Sequence, residues 1–89
     1  MVITSIDELA LAGIKIYPNP TNGNITITTP NKFDVFVYDV LGNLVYEQLN
    51  NNLSLNIDLT DKTEGIYFLT IKSGDFITTQ KIVFHNNLN

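Results

Sequence analysis

The sequence predicts an all-β fold, an immunoglobulin-like Greek-key β-sandwich of about seven antiparallel strands, and three observations carry that expectation. Short segments of alternating apolar and polar residues recur about every ten residues, Gly, Asn and Pro clusters separate them, and no long helical period interrupts the pattern. Only Ser5-Ile6-Asp7-Glu8 has the Ser-x-x-Glu form of a helix start, and Gly13 would stop it within two turns.

The first strand is expected at Ile14 to Tyr17, with Ile14 and Ile16 facing one way. It ends at Pro18, because proline has no N–H to give a ladder. Asn19 precedes Pro20 and is pushed toward extended backbone, while Asn22 and Gly23 suit positive φ and return the chain into strand two, Asn24 to Thr29. There Ile25 and Ile27 point inward and Thr26 and Thr28 outward. Strands three and four, Phe33 to Tyr38 and Asn43 to Leu49, flank Asp39-Val40-Leu41-Gly42, which fits a type I turn with Asp first and Gly in the left-handed bulge position. Strand three is apolar on both faces, Phe33, Val35 and Val37 against Phe36 and Tyr38, so one face fills the core and the other is covered in part.

After the polar run Asn50 to Asn52, strand five sets Leu53, Leu55, Ile57 and Leu59 on one face before the turn Thr60 to Glu64. Strand six, Ile66 to Lys72, alternates Tyr67, Leu69 and Ile71 against Ile66, Phe68 and Thr70, and Ser73-Gly74 turns into strand seven, Phe76 to Phe84. Either Ile77 and Val83, or Phe76, Ile82 and Phe84, fill the core from strand seven, because a bulge would exchange the two sets.

Composition bounds what such a domain can do. At 89 residues, 44% hydrophobic and 16% charged, the chain is one small domain too apolar for disorder, and its apolar runs are far too short to insert in a membrane. Its five cations are all lysines and its net charge is -4, so the positive field and guanidinium forks that bind nucleic acid are missing. The absence of cysteine excludes disulfides and thiolate metal sites. Met1 to Gly13 carries Asp7 and Glu8 where a secretory signal wants positive charge and an unbroken apolar run. A domain working outside the cell is then expected to be a piece of a longer precursor, with Met1 an added start, residues 1–12 a linker, 13–85 the sandwich and 86–89 a flexible tail.

No catalytic constellation emerges. His85 is the single histidine, no nucleophile has a base partner, and Asp34, Asp39, Asp58, Asp61, Glu64 and Asp75 fall mostly at strand ends and turns, where acids cap backbone amides. Asp58, Asp61 and Glu64 lack the spacing of a calcium loop, so no metal, cofactor or enzymatic activity is expected.

The ordered blocks Tyr17-Pro18-Asn19-Pro20 with Gly23 and the Ile25/Ile27 strand, Tyr38-Asp39 with Gly42, Ile57-Asp58-Leu59, Gly65-Ile66-Tyr67 and the closing Lys81-Ile82-Val83 carry a resemblance. From about Ile14 to Val83 the chain resembles the C-terminal sorting domain of type IX secretion cargo proteins, type A. The resemblance implies a non-enzymatic address at the C-terminus of a secreted or cell-surface protein of a Bacteroidota-type bacterium. A fused N-terminal cargo would pass through the periplasm and an outer-membrane translocon, and a sortase-like protease would then remove the domain and anchor the cargo at the surface. It also implies translocon recognition through the matched residues Tyr17, Pro18, Asn19, Pro20, Gly23, Gly42, Gly65, Tyr67 and Lys81.

Two departures stand out: Lys62 occupies a position the family usually gives to an apolar residue, and His85 to Asn89 extend beyond the last strand, where the family tends to end near a lysine. The matched residues also have ordinary structural work open to them. The glycines suit turns, Tyr67 suits the core, and the exposed part of the proline run would form a rigid knob. A second reading is an immunoglobulin-like adhesion or carbohydrate-binding module, for which Phe36, Tyr38 and Tyr46 are the candidate aromatic row. A homodimer through the open edge of strand one or strand seven is a third.

Overall fold

The computed structural model describes residues 13–85. The expected linker with its Ser5 to Glu8 helix start, and the tail 86–89, lie outside the described residues. The strands are β1 (Lys15–Tyr17), β2 (Asn24–Thr28), β3 (Phe33–Asp39), β4 (Leu44–Asn51), β5 (Ser54–Asp58), β6 (Gly65–Ser73) and β7 (Phe76–Phe84). They form two antiparallel sheets, one ordered β1-β2-β5 and the other β4-β3-β6-β7. The chain changes sheet between β2 and β3, between β4 and β5, and again between β5 and β6. This is an immunoglobulin-like sandwich in which the fourth strand pairs with the third, where constant-type domains send it to the opposite sheet.

Alternation builds the core. Ile25, Ile27 and Ile57 from the three-stranded sheet meet Val35, Val37, Leu69, Ile71, Ile82 and Phe84 from the four-stranded one, with Ile14, Phe33, Leu59 and Tyr67 closing the ends. Each fully buried aliphatic side chain contributes about 2 kcal/mol of transfer free energy. Outward-facing polar residues pair across strands: the Thr26 hydroxyl donates to Asn56 Oδ1 at 2.7 Å, and the Thr70 and Thr79 hydroxyls lie 2.8 Å apart.

The structure settles the phase of β7. The β6–β7 ladder runs from Gly65 opposite Phe84 to Ser73 opposite Phe76 without a register shift, so Ile82 and Phe84 are buried, Phe76 is half-buried, and Ile77 stands 59% exposed on the outer face. The irregularities lie instead between β3 and β4, at Phe33/Val35 and Val37/Tyr38.

Two expectations around β4 and β5 need correction. Leu53 does not share the buried face of Ile57 and Leu59; it precedes β5, gives its carbonyl to the Thr29 N–H at 2.9 Å, and leaves its side chain in solvent. Nor is the Asn50 to Asn52 run simply a polar connection. β4 extends through Asn51, whose buried amide donates to the carbonyls of Phe33 (3.1 Å) and Gln48 (2.9 Å), serving backbone acceptors beside the bulge.

Candidate recognition site

The turn after β1, the β3–β4 hairpin, the loop between β5 and β6 and the end of β7 all meet at one pole of the sandwich. Gly65 pairs with Phe84, Asp39 with Tyr67, Asn24 with Asp58, and Thr21 bridges Phe84. The other pole gathers Gly13, Ile14, Pro30, Asn31, Ser73 and Phe76. The chain therefore enters the sandwich at one pole and leaves it, at His85, from the other.

Within the proline run, Tyr17 to Pro20 are exposed as the expected knob, yet the knob is fastened to β7. Both X-Pro peptide bonds there are cis. The Asn19 amide donates from Nδ2 to the Lys81 carbonyl at 2.9 Å and accepts at Oδ1 from the Val83 N–H at 3.1 Å. Thr21 continues the clamp. Its N–H donates to the Val83 carbonyl at 2.8 Å and its carbonyl accepts from the His85 N–H at 2.9 Å. Its hydroxyl donates to the Asn24 carbonyl at 2.7 Å and accepts from the Gly23 N–H at 3.0 Å.

The fully buried Thr21 is the residue that sequence reasoning missed. Thr-Asn-Gly is a local signal for a hydroxyl accepting from the N–H two residues on, but its burial depends on a strand more than sixty positions away. These bonds also close the outer edge of β7 along Lys81 to His85, so that edge is not open to a second copy.

Gly23 is required by space as well as by φ (+120°): a Cβ there would sit 2.6 Å from Thr60 Cγ2 and 3.1 Å from the Phe84 ring. Its carbonyl accepts from Leu59 N–H at 2.7 Å.

At the hairpin, Gly42 N–H donates to the Asp39 carbonyl at 3.0 Å, and Gly42 takes the expected left-handed φ of 88°. Asp39 Oδ1 accepts from the Leu41 and Asn43 N–H groups, each at 2.9 Å, and Oδ2 from the Asn43 amide at 3.2 Å. The Asn43 N–H leads these donors in holding the Asp39 carboxyl below the usual aspartate range. Asp58 is lowered likewise, first by the Thr60 hydroxyl and then by the Thr60 N–H.

Tyr67 is buried at the start of β6 and donates its hydroxyl to the Thr63 carbonyl in the preceding loop. This is the tyrosine-corner arrangement of immunoglobulin-like domains, in which a phenol ties the corner between the fifth and sixth strands. Burial pushes its phenol upward, with the charges of Asp39 and Asp61 adding to the effect.

Gly65 helps to line a groove of about 400 Å³ between the hairpin and the loop, together with Asp39, Val40, Asp61, Lys62, Glu64 and Ile66 among others. Lys62 is half-buried in that loop, its ammonium 3.7 Å from Asp61, and its N–H donates to Leu59. Lys81 pairs with Phe68 on the outer face and contributes its carbonyl to the Asn19 clamp. Among the described residues no three His, Asp or Glu side chains gather as metal ligands.

A family model described as the secretion system C-terminal sorting domain matches residues 15–85, which spans the whole sandwich and all nine matched positions. The chain belongs to the type IX secretion C-terminal sorting domain family. The sorting domain is also 36% identical, over 74 residues and 80% of its length, to an ulvan lyase of Nonlabens ulvanivorans. It spans only 14% of that relative's length.

The aromatic row that a sugar-binding reading needs does not form. Val37 pairs with Tyr46, which packs against the core, whereas Phe36 and Tyr38 point to the outer face beside Thr70 and Phe68. All three are half-buried.

Proposed function

We propose that this domain is the export address of a longer secreted protein. It directs an N-terminally fused cargo from the periplasm through the outer-membrane type IX translocon, after which a sortase-like protease removes it and the cargo is anchored at the cell surface. The observation that carries this reading is the family match across residues 15–85. The fold supports it in a specific way: eight of the nine family positions lie in or beside the loops of one pole, and Lys81 joins them through Asn19, while the cargo side of the chain enters at the other pole. A rigid pole facing away from the cargo can meet a receptor without ordering cost. Tyr17, Pro18, Pro20, Gly42 and Gly65 would supply its exposed contour, and Asn19, Gly23 and Tyr67 would hold that contour in shape. No group in it supplies chemistry, and its role is non-enzymatic.

The test is a fusion of Met1 to Asn89 behind a reporter with a periplasmic signal, expressed in a type IX-competent host and in one lacking the translocon. Export only in the competent host is expected; a reporter retained in the periplasm of both would sink the reading.

A further inference from the structure

The β3–β4 hairpin ends in two apolar side chains that the fold does not use. Val40 is 63% exposed and Leu41 is 83% exposed, the latter the most exposed of the large hydrophobic side chains among the described residues. The turn is held by the Gly42 N–H to Asp39 carbonyl bond, by the Leu41 and Asn43 N–H groups on Asp39 Oδ1 and by the Asn43 amide on Oδ2, and neither the Val40 nor the Leu41 side chain takes part. The central positions of a type I turn accept most residues, so the turn does not select an apolar pair. Neither side chain is therefore explained by the turn. Ile66, also exposed, lines the groove beside Val40, which extends the apolar tip along one wall of the pole.

The groove beside this tip carries an excess of acid: Asp39, Asp61 and Glu64 line it with Lys62, whose ammonium lies 3.7 Å from Asp61, while the His85 imidazole lies 4.0 Å from Glu64. An apolar tip beside a net-negative groove is poorly matched to an anionic lipid surface, which would repel that groove. It suits a protein whose socket is apolar at the base and basic at the rim, with the tip supplying the desolvated anchor and the acids the approach and orientation.

We propose that Val40 and Leu41 are the anchor by which the sorting domain docks into an apolar, basic-rimmed socket on a protein of the export machinery. This rests on the sorting reading above and adds to it the contact residues and the chemistry of the partner.

The experiment uses the same full-length reporter fusion carrying Val40→Thr with Leu41→Ser, alongside Ile77→Ser as an equally apolar, exposed control near the opposite pole, and Asp61→Asn with Glu64→Gln to reduce the rim. Exported reporter is expected to fall about tenfold for the tip variant, as when anchor residues of an interface are truncated, to fall less for the rim variant, and to be unchanged for Ile77→Ser. The tip variant's Tm should stay within about 3 °C of the parent, because exposed side chains are being trimmed. Export of the tip variant at the parent level overturns the proposal while leaving the sorting reading intact, whereas failure of the parent itself to export removes that reading. Light scattering of the 89-residue chain that gave a dimer lost on Leu41→Ser would assign the tip to self-association and overturn the proposal as well.

Discussion

The Val83 backbone is held on its outer side by two residues of the proline run: its N–H donates to Asn19 Oδ1 at 3.1 Å and its carbonyl accepts from the Thr21 N–H at 2.8 Å. An edge strand usually leaves such groups to water or to a neighbouring chain. Here the segment that follows β1 serves them, so the last strand of one sheet is sewn to the first strand of the other.

Asn19→Ala is expected to lower stability by about 1 to 2 kcal/mol, the net worth of two partly solvated hydrogen bonds. Asn19→Asp should cost a similar amount, because a carboxylate can still accept from Val83 but cannot donate to Lys81. Urea unfolding with an unchanged m-value checks both.

Gly23→Ala is expected to cost about 2 to 4 kcal/mol, combining a positive φ with a Cβ forced against the Thr60 methyl. Thr60→Ser removes that methyl and keeps the hydroxyl on Asp58. In a double-mutant cycle the second change should recover part of the loss; strict additivity would contradict the contact.

Because Asp39 and Asp58 are depressed in the folded state, their unfolded counterparts take up protons first as the pH falls. Their stabilisation is complete above the ordinary aspartate value, near pH 4, and is lost as pH drops through the lower folded values. Stability is expected to be flat from neutral pH to about pH 5 and then to fall. Asp39→Ala should lower the plateau and flatten the acid limb, which denaturation midpoints measured from pH 2 to 7 would reveal.

Tyr67→Phe should cost about 1 kcal/mol, the net worth of one hydrogen bond, by freeing the Thr63 carbonyl. The parent's raised phenol also predicts that stability, complete below the ordinary tyrosine value near pH 10, declines as pH rises through the folded value. In the variant this alkaline decline should shrink, leaving the share due to Tyr46, which burial also raises.

Period-two patterning revealed the seven strands, and Asp39 with Gly42 revealed the hairpin, because both signals act over a few residues. What escaped depends on distant partners. Thr21 reads as one more turn residue until β7 is laid beside it, and Asn51 reads as linker until the irregular β3–β4 pairing brings the Phe33 and Gln48 carbonyls to its amide. The phase of β7 could be read either way because its two faces carry comparable apolar sets, and only the ladder to β6 chooses between them. At the pole of the β3–β4 hairpin the motif residues are legible one at a time, but their convergence is not, since it follows from strand order. From sequence alone Leu41 reads as part of a turn; the exposure of its side chain becomes visible only with the hairpin tip in place.

The separation of chain entry from chain exit has a practical corollary. A domain joined ahead of Gly13 would meet the sandwich at the pole of Pro30 and Ser73, opposite the loops that hold Gly42 and Gly65. The same geometry makes an extension placed after His85 the more intrusive one, since it would emerge among the loops themselves.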